Sequence, residues 1–190
     1  DGNTALIGAA FAGHSDIVNI LLADERIDPN HADKYGRTAL ILAALVGHSD
    51  IVSALLTDKS VNPNHADHSG NTALMWSANE GHTAIVNIFL ADERIDPNHD
   101  NNRGGTALIW AAYEGYIDIV RALLADERVD LNHANHWGGT ALTLAAAKGH
   151  SEIVSMLLAN PRINLSHADQ AKKGIINEII LNLKNTLEIK

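Results

Sequence analysis

No cysteine occurs among the 190 residues. That excludes a disulfide framework and thiolate metal chemistry, and it favours an intracellular, cytoplasmic setting. Basic charge is scarce as well: 14 Lys and Arg stand against 23 Asp and Glu, for a net charge of −9. Lys172-Lys173 is the only adjacent basic pair. A partner held through phosphates would need a basic stripe, so nucleic acid is not an expected partner. No apolar run approaches the ~20 residues that cross a bilayer, and no signal peptide is visible, so no membrane partner is expected. No phosphate-binding G-x-x-x-x-G-K-S/T motif occurs either; Gly104-Gly105 and Gly138-Gly139 read as turn glycines. The chain opens at Asp1 without Met, part-way through a unit, and so reads as an excerpt or processed piece.

What is present is repetition. The triplet Thr-Ala-Leu begins at Thr4, Thr38, Thr72, Thr106 and Thr140, a step of 34 residues each time. Gly13, Gly47, Gly81, Gly115 and Gly149 keep that interval, as do the Ile-Val pairs beginning at Ile17, Ile51, Ile85, Ile119 and Ile153. Such a period predicts a stack of like units, each contacting mainly its neighbours. Within Asp33–Ala66, Thr38 is placed to cap a short helix from Ala39 to about Val46, and Gly47 suits a left-handed stop. Ser49 and Asp50 open a second helix, whose Ile51, Val52, Leu55 and Leu56 form one apolar stripe. Asn62-Pro63-Asn64 then breaks it.

A period of 34 also suits tetratricopeptides, but their Trp/Leu-Gly/Tyr/Pro pattern is absent. TALILAALVGH, TALMWSANEGH and TALTLAAAKGH instead resemble the T-P-L-H-x-A-A pattern of the ankyrin repeat family, over nearly Asp1 to Asp169. The resemblance implies an all-α solenoid with short β-turn fingers. Five units are expected at about 1–32, 33–66, 67–100, 101–134 and 135–168, making a stack over 1–170. Ala replaces the family's Pro in every unit. Its His becomes Ile7, Ile41, Met75, Ile109 or Thr143, so the hydrogen bonds usually made there are expected to be missing. After Asp169 the pattern fails, and Ile176, Ile179, Ile180, Leu183 and Leu187 form a helical stripe. A capping helix is expected over 171–190. Stacks of this variant resemble ankyrin proteins of intracellular bacteria and protists, which would allow delivery into a host cell.

Positions shared by all units are explained by packing; those that vary are expected to be free of it. In the ankyrin family the variable finger and first-helix positions form the concave face where partners bind. Here they include Tyr35, Arg37, Leu45, Asn79, Glu80, Arg103, Tyr113, Glu114, His136, Trp137 and Lys148. Trp76 and Trp110 precede the alanine pair and would either face that groove or stack on each other across adjacent units. With Phe11, which also occupies a variable position, six of the eight aromatics fall on one face, while Phe89 and Tyr116 read as structural. Aromatic residues and Arg are enriched in binding hot spots. Charge at Arg37, Glu80, Arg103, Glu114 and Lys148 would set register and exclude wrong partners.

Eleven histidines invite a metal reading. Nine of them, however, form two ladders that repeat with the units, His31 to His167 in the fingers and His14 to His150 beside the turn glycines. Ligands must converge to within about 4 Å around zinc, whereas neighbouring helices pack ~8–10 Å apart. Structural bracing is the expected role, and neither metal nor cofactor is expected. The recurrent Asp-Glu pairs after the second helices read as solvated helix ends. Leu22–Asn30 and Leu90–Asn98 approximate the ankyrin asparagine-hydroxylation context, with Pro for Val; a structural Asn is the default. The expected function is non-enzymatic binding of a protein or peptide by a monomer. The alternatives are a targeting arm of a larger enzyme or secreted effector, and self-association through the N-terminal end.

Overall fold

A computed structural model describes residues 2–165. Among them ten helices follow in five pairs. They are α1 (Ala5–Ala12) with α2 (Ser15–Leu22), α3 (Ala39–Val46) with α4 (Ser49–Thr57), α5 (Ala73–Asn79) with α6 (Thr83–Leu90), α7 (Ala107–Glu114) with α8 (Ile117–Ala125), and α9 (Ala141–Lys148) with α10 (Ser151–Ala159). Odd-numbered helices pack on odd and even on even, so two layers of helices run the length of the stack. The expected capping helix over 171–190 and the last finger histidine, His167, lie outside the described residues.

Each first helix starts where the Thr of Thr-Ala-Leu lies in extended backbone and accepts a hydrogen bond from the N–H three residues on, at 3.2–3.4 Å in all five units. Losing such a cap costs ~1 kcal/mol. The reciprocal bonds, expected to be missing everywhere, exist in the fifth unit. There the Thr140 N–H donates to Thr143 Oγ1 at 2.8 Å, completing a capping box that Ile and Met cannot form.

Small side chains let the first helices approach closely. Ala9-Ala10, Ala43-Ala44, Ala111-Ala112 and Ala145-Ala146 are all buried. In the third unit the pair is Ser77-Ala78, and the buried Ser77 hydroxyl donates to the Leu74 carbonyl at 2.8 Å, so no polar atom is left unmet. Both layers contribute large apolar groups, the first helices Leu6, Ile41, Leu74 and Leu108, and the second helices Ile51, Leu55, Phe89, Ile119 and Leu123. Helices of eight or nine residues are marginal alone in water, so this burial, worth ~1.5–3 kcal/mol per large side chain, supplies their stability. On α2, the first of its layer, Ile17 and Ile20 remain exposed.

Neighbouring units are tied by two loop ladders. Asn30, Asn64, Asn98 and Asn132 each donate through Nδ2 to a carbonyl thirty residues on and accept through Oδ1 from an N–H thirty-two residues on. The Asn of both Asp-Pro-Asn runs is therefore structural on both sides of its amide. The second ladder was not legible as such. Asp92 and Asp126 are not merely solvated helix ends: each pairs with the Arg two residues on, at 2.6 Å. That Arg reaches back to the preceding unit, Arg94 to the Leu56 and Val61 carbonyls and Arg128 to those of Leu90 and Ile95. It thereby satisfies carbonyls that the end of the preceding second helix leaves open. Hydrogen bonds from Arg94 and Arg128 hold the Asp92 and Asp126 carboxyls below their ordinary range, against the opposing effect of burial. In the second unit Ser60 occupies the Arg position, and its hydroxyl turns inward to Asp58.

Candidate functional site

The fingers of the second to fifth units are each built around one carboxylate or amide. Asp33 Oδ1 accepts from the Tyr35 and Arg37 N–H groups, and its Oδ2 pairs with the Arg37 guanidinium at 2.7 Å. Burial alone would raise the Asp33 carboxyl, but the Arg37 side chain and the two backbone donors outweigh it and leave it lowered. Asp67 likewise holds the Ser69 and Asn71 N–H groups, and its Oδ2 accepts from Trp76 Nε1 at 2.9 Å. In the fourth and fifth units the residue is Asn. Asn101 Oδ1 holds the Arg103 and Gly105 N–H groups, while its Nδ2 donates to Asn71 Oδ1 at 2.7 Å. Asn135 does the same for Trp137 and Gly139. Adjacent fingers are stitched by backbone bonds, His68 N–H to the Tyr35 carbonyl, Asn102 to Ser69 and His136 to Arg103.

Two cavities open on this finger and first-helix side. One, of ≈ 460 Å³, lies between the third and fourth units, with Trp76, Asn79, Asn101, Arg103 and Trp110 in its wall. The other, of ≈ 260 Å³, lies between the fourth and fifth, walled by Arg103, Trp110, Tyr113, Trp137 and Leu144. Arg103, Asn101 and Trp110 belong to both. Gly105 makes room for this: a Cβ there would stand 3.2 Å from Trp110 Nε1. At Gly139 it would stand 3.3 Å from Leu144 Cδ2. Among the described residues the ring pair that forms is Trp110 with Tyr113, edge to face, with centroids 6.4 Å apart. Trp76 and Trp110 share a cavity wall; the ring partner of Trp110 is Tyr113.

The remaining expected site residues are distributed around these cavities. Trp137 is 71% exposed and Tyr35 54%. Lys148 Nζ lies 4.0 Å from the Tyr113 ring centroid, a cation–π contact at the edge of the second cavity. Tyr113, and then Glu114, raise the Lys148 ammonium above its ordinary range. Glu80 accepts from the Asn79 amide at 2.8 Å, and Glu114 is exposed. Tyr35, Arg37 and Leu45 sit apart, in the second unit. Arg37 is not a free recognition charge, since Asp33 neutralises it and its guanidinium carbon lies 4.7 Å from the Tyr35 centroid.

Variable positions are not all released from packing. His68 and His136 lie against Gly36 and Gly104 of the preceding fingers, whose backbone at φ 80° and 71° leaves no space for a Cβ. His136 is thus partly a spacer, although exposed. The conserved-in-repeat histidines behave as braces. His48, His82 and His150 Nε2 donate to the Phe11, Leu45 and Tyr113 carbonyls at 3.3, 3.2 and 3.0 Å, near the end of the preceding first helix. His31, His65, His99 and His133 do likewise to Gly2, Gly36, Gly70 and Gly104. Among the described residues no three His, Cys, Asp or Glu side chains converge on one point. Tyr116 stands where the others have His, its ring closing over Gly81.

Asn101, Ile109 and Asn135 line the smaller cavity and were missed in the sequence. The available signal was the change from Asp to Asn in the last two fingers.

A family model described as ankyrin repeats in three copies matches residues 1–67, 57–135 and 85–169. The chain belongs to the ankyrin repeat family, whose members are generally non-catalytic protein–protein interaction modules. No curated protein matches the chain. No helix among the described residues is long and apolar enough to cross a membrane.

Proposed function

We propose that this chain is a non-enzymatic recognition module that binds a protein or peptide on its finger and first-helix side, centred on the fourth and fifth units. One observation carries the reading: Arg103, Trp110, Tyr113, Trp137 and Leu144, drawn from two fingers and two helices, surround a single cavity. Rings presented on a braced scaffold lose little conformational freedom on binding, which favours them as anchors. The second-unit cluster of Tyr35 and Leu45 would extend the contact along the groove, with Glu80 and Glu114 setting the register of the partner at its edges.

The test is capture from lysate by the wild-type chain and by a Tyr113→Ala/Trp137→Ala variant, read by quantitative mass spectrometry beside circular dichroism melts. The reading expects specific partners to be lost with the two rings while the melt changes little. Equal capture by both would contradict it.

A further inference from the structure

The fourth unit lacks a carboxylate that the second and third possess. Asp33 neutralises Arg37, and Asp67 accepts from Trp76 Nε1. The fourth unit has Trp110 at the position of Trp76 and presents its own guanidinium, Arg103, two residues before the position of Arg37. Its finger residue is the neutral Asn101, whose amide oxygen is occupied by two backbone donors and whose Nδ2 turns to Asn71. Neither Trp110 Nε1 nor the Arg103 guanidinium bonds to any described residue, and both residues line the cavity between the fourth and fifth units as well as its neighbour. No Asp or Glu lines that cavity or its neighbour, in a chain whose net charge is −9. Asp67 already holds three donors, Glu80 accepts from Asn79, and Glu114 is exposed next to Tyr113 in the chain.

Resting on the groove reading above, we propose that this cavity receives an Asp or Glu side chain from within a partner polypeptide. Its carboxylate is held by the Arg103 guanidinium and Trp110 Nε1, and an adjacent apolar side chain sits among Tyr113, Trp137 and Leu144. A guanidinium matches a carboxylate in shape and charge, and a charge-assisted pair is about twice as strong as a neutral hydrogen bond. The incoming group supplies what the finger no longer does. Two cavities share the Arg103 wall and open in succession along the stack, so the partner chain can continue past the carboxylate; an internal acidic residue fits better than a chain end.

The experiment is a selection of short random peptides displayed against the whole chain, with binders resynthesised carrying blocked termini. Binders are expected to contain Asp or Glu beside a large apolar residue. Exchange of that acid for its amide, and Arg103→Gln in the chain, should each weaken binding about tenfold or more, with the two effects not adding. Arg103→Glu should reselect basic peptides. Binders without an acid, binders needing a free C-terminal carboxylate, binders indifferent to Arg103→Gln, or no binders at all would each overturn the proposal. Binders that need Tyr113 and Trp137 but not Arg103 would defeat the carboxylate inference and leave the groove reading standing. Binders indifferent to all three residues would defeat both.

Discussion

Single side chains in this stack take their role from the neighbours that their own unit supplies. Asp33 and Asp67 each bind a donor from their own unit, whereas Asn101 in the same place binds only backbone and the preceding finger. Ser60 shows the same logic in the loop. Its counterparts Arg94 and Arg128 hold the preceding second helix, so Ser60→Arg should reach the Leu22 and Ile27 carbonyls and raise stability by about 0.5–1.5 kcal/mol. Urea denaturation would read this as a higher midpoint at constant slope. An unchanged or lower midpoint would mean that the ladder contributes nothing net. The aromatic residues were legible one by one, because Tyr35, Tyr113 and Trp137 fall where the repeats disagree. What each ring touches was not. Trp76 is tied to Asp67 through space, and only the fold brings Leu144 beside Trp110.

For the helices and loops, periodicity was a sufficient guide because each element answers to a local rule. Thr caps, left-handed glycines and an Ile-Val-x-x-Leu stripe fix the helix pairs without reference to the rest of the chain. The joins between elements were harder to read, since their partners lie about one unit away. The Asp-Glu pairs looked like solvated ends because the Arg that engages Asp92 or Asp126 also bonds carbonyls 33 and 38 positions back. Asn98 bridges two units through both amide atoms, so Asn98→Ala should cost about 1–3 kcal/mol. Hydrogen exchange should show the loss first in the loop around Arg128 and Asp130, and uniform loss across the chain would contradict a local tie. Thr143→Ile removes the reciprocal cap of α9 and should lower stability by about 1 kcal/mol, read by thermal melting; no change would mean that the second bond of the box is idle.

At the scale of the whole molecule, charge and packing pull apart. The net charge of −9 is distributed around a stack whose paired carboxyls Asp33, Asp92 and Asp126 all have lowered pKa values. A carboxyl lowered in the folded state binds protons less readily there than in the unfolded chain, whose value is 3.8. Its contribution is complete above that value and lost as pH falls through the folded one. The urea midpoint should therefore stay level on account of these groups down to about pH 5 and fall below about pH 4. The Asp92→Asn/Asp126→Asn variant should be less stable at neutral pH and show a shallower acid decline. An equal decline in both chains would remove these pairs from the explanation.

The central claim is that the repeated residues build the stack and the exceptions in its fourth and fifth units bind the partner. Hydrogen-exchange footprinting of the complex with a captured partner or selected peptide tests it most directly. The account predicts added protection in the fingers around Arg103 and Trp137 and along α7 and α9, with α8 and α10 unchanged. Protection confined to the second helices, or spread evenly over all five units, would contradict it.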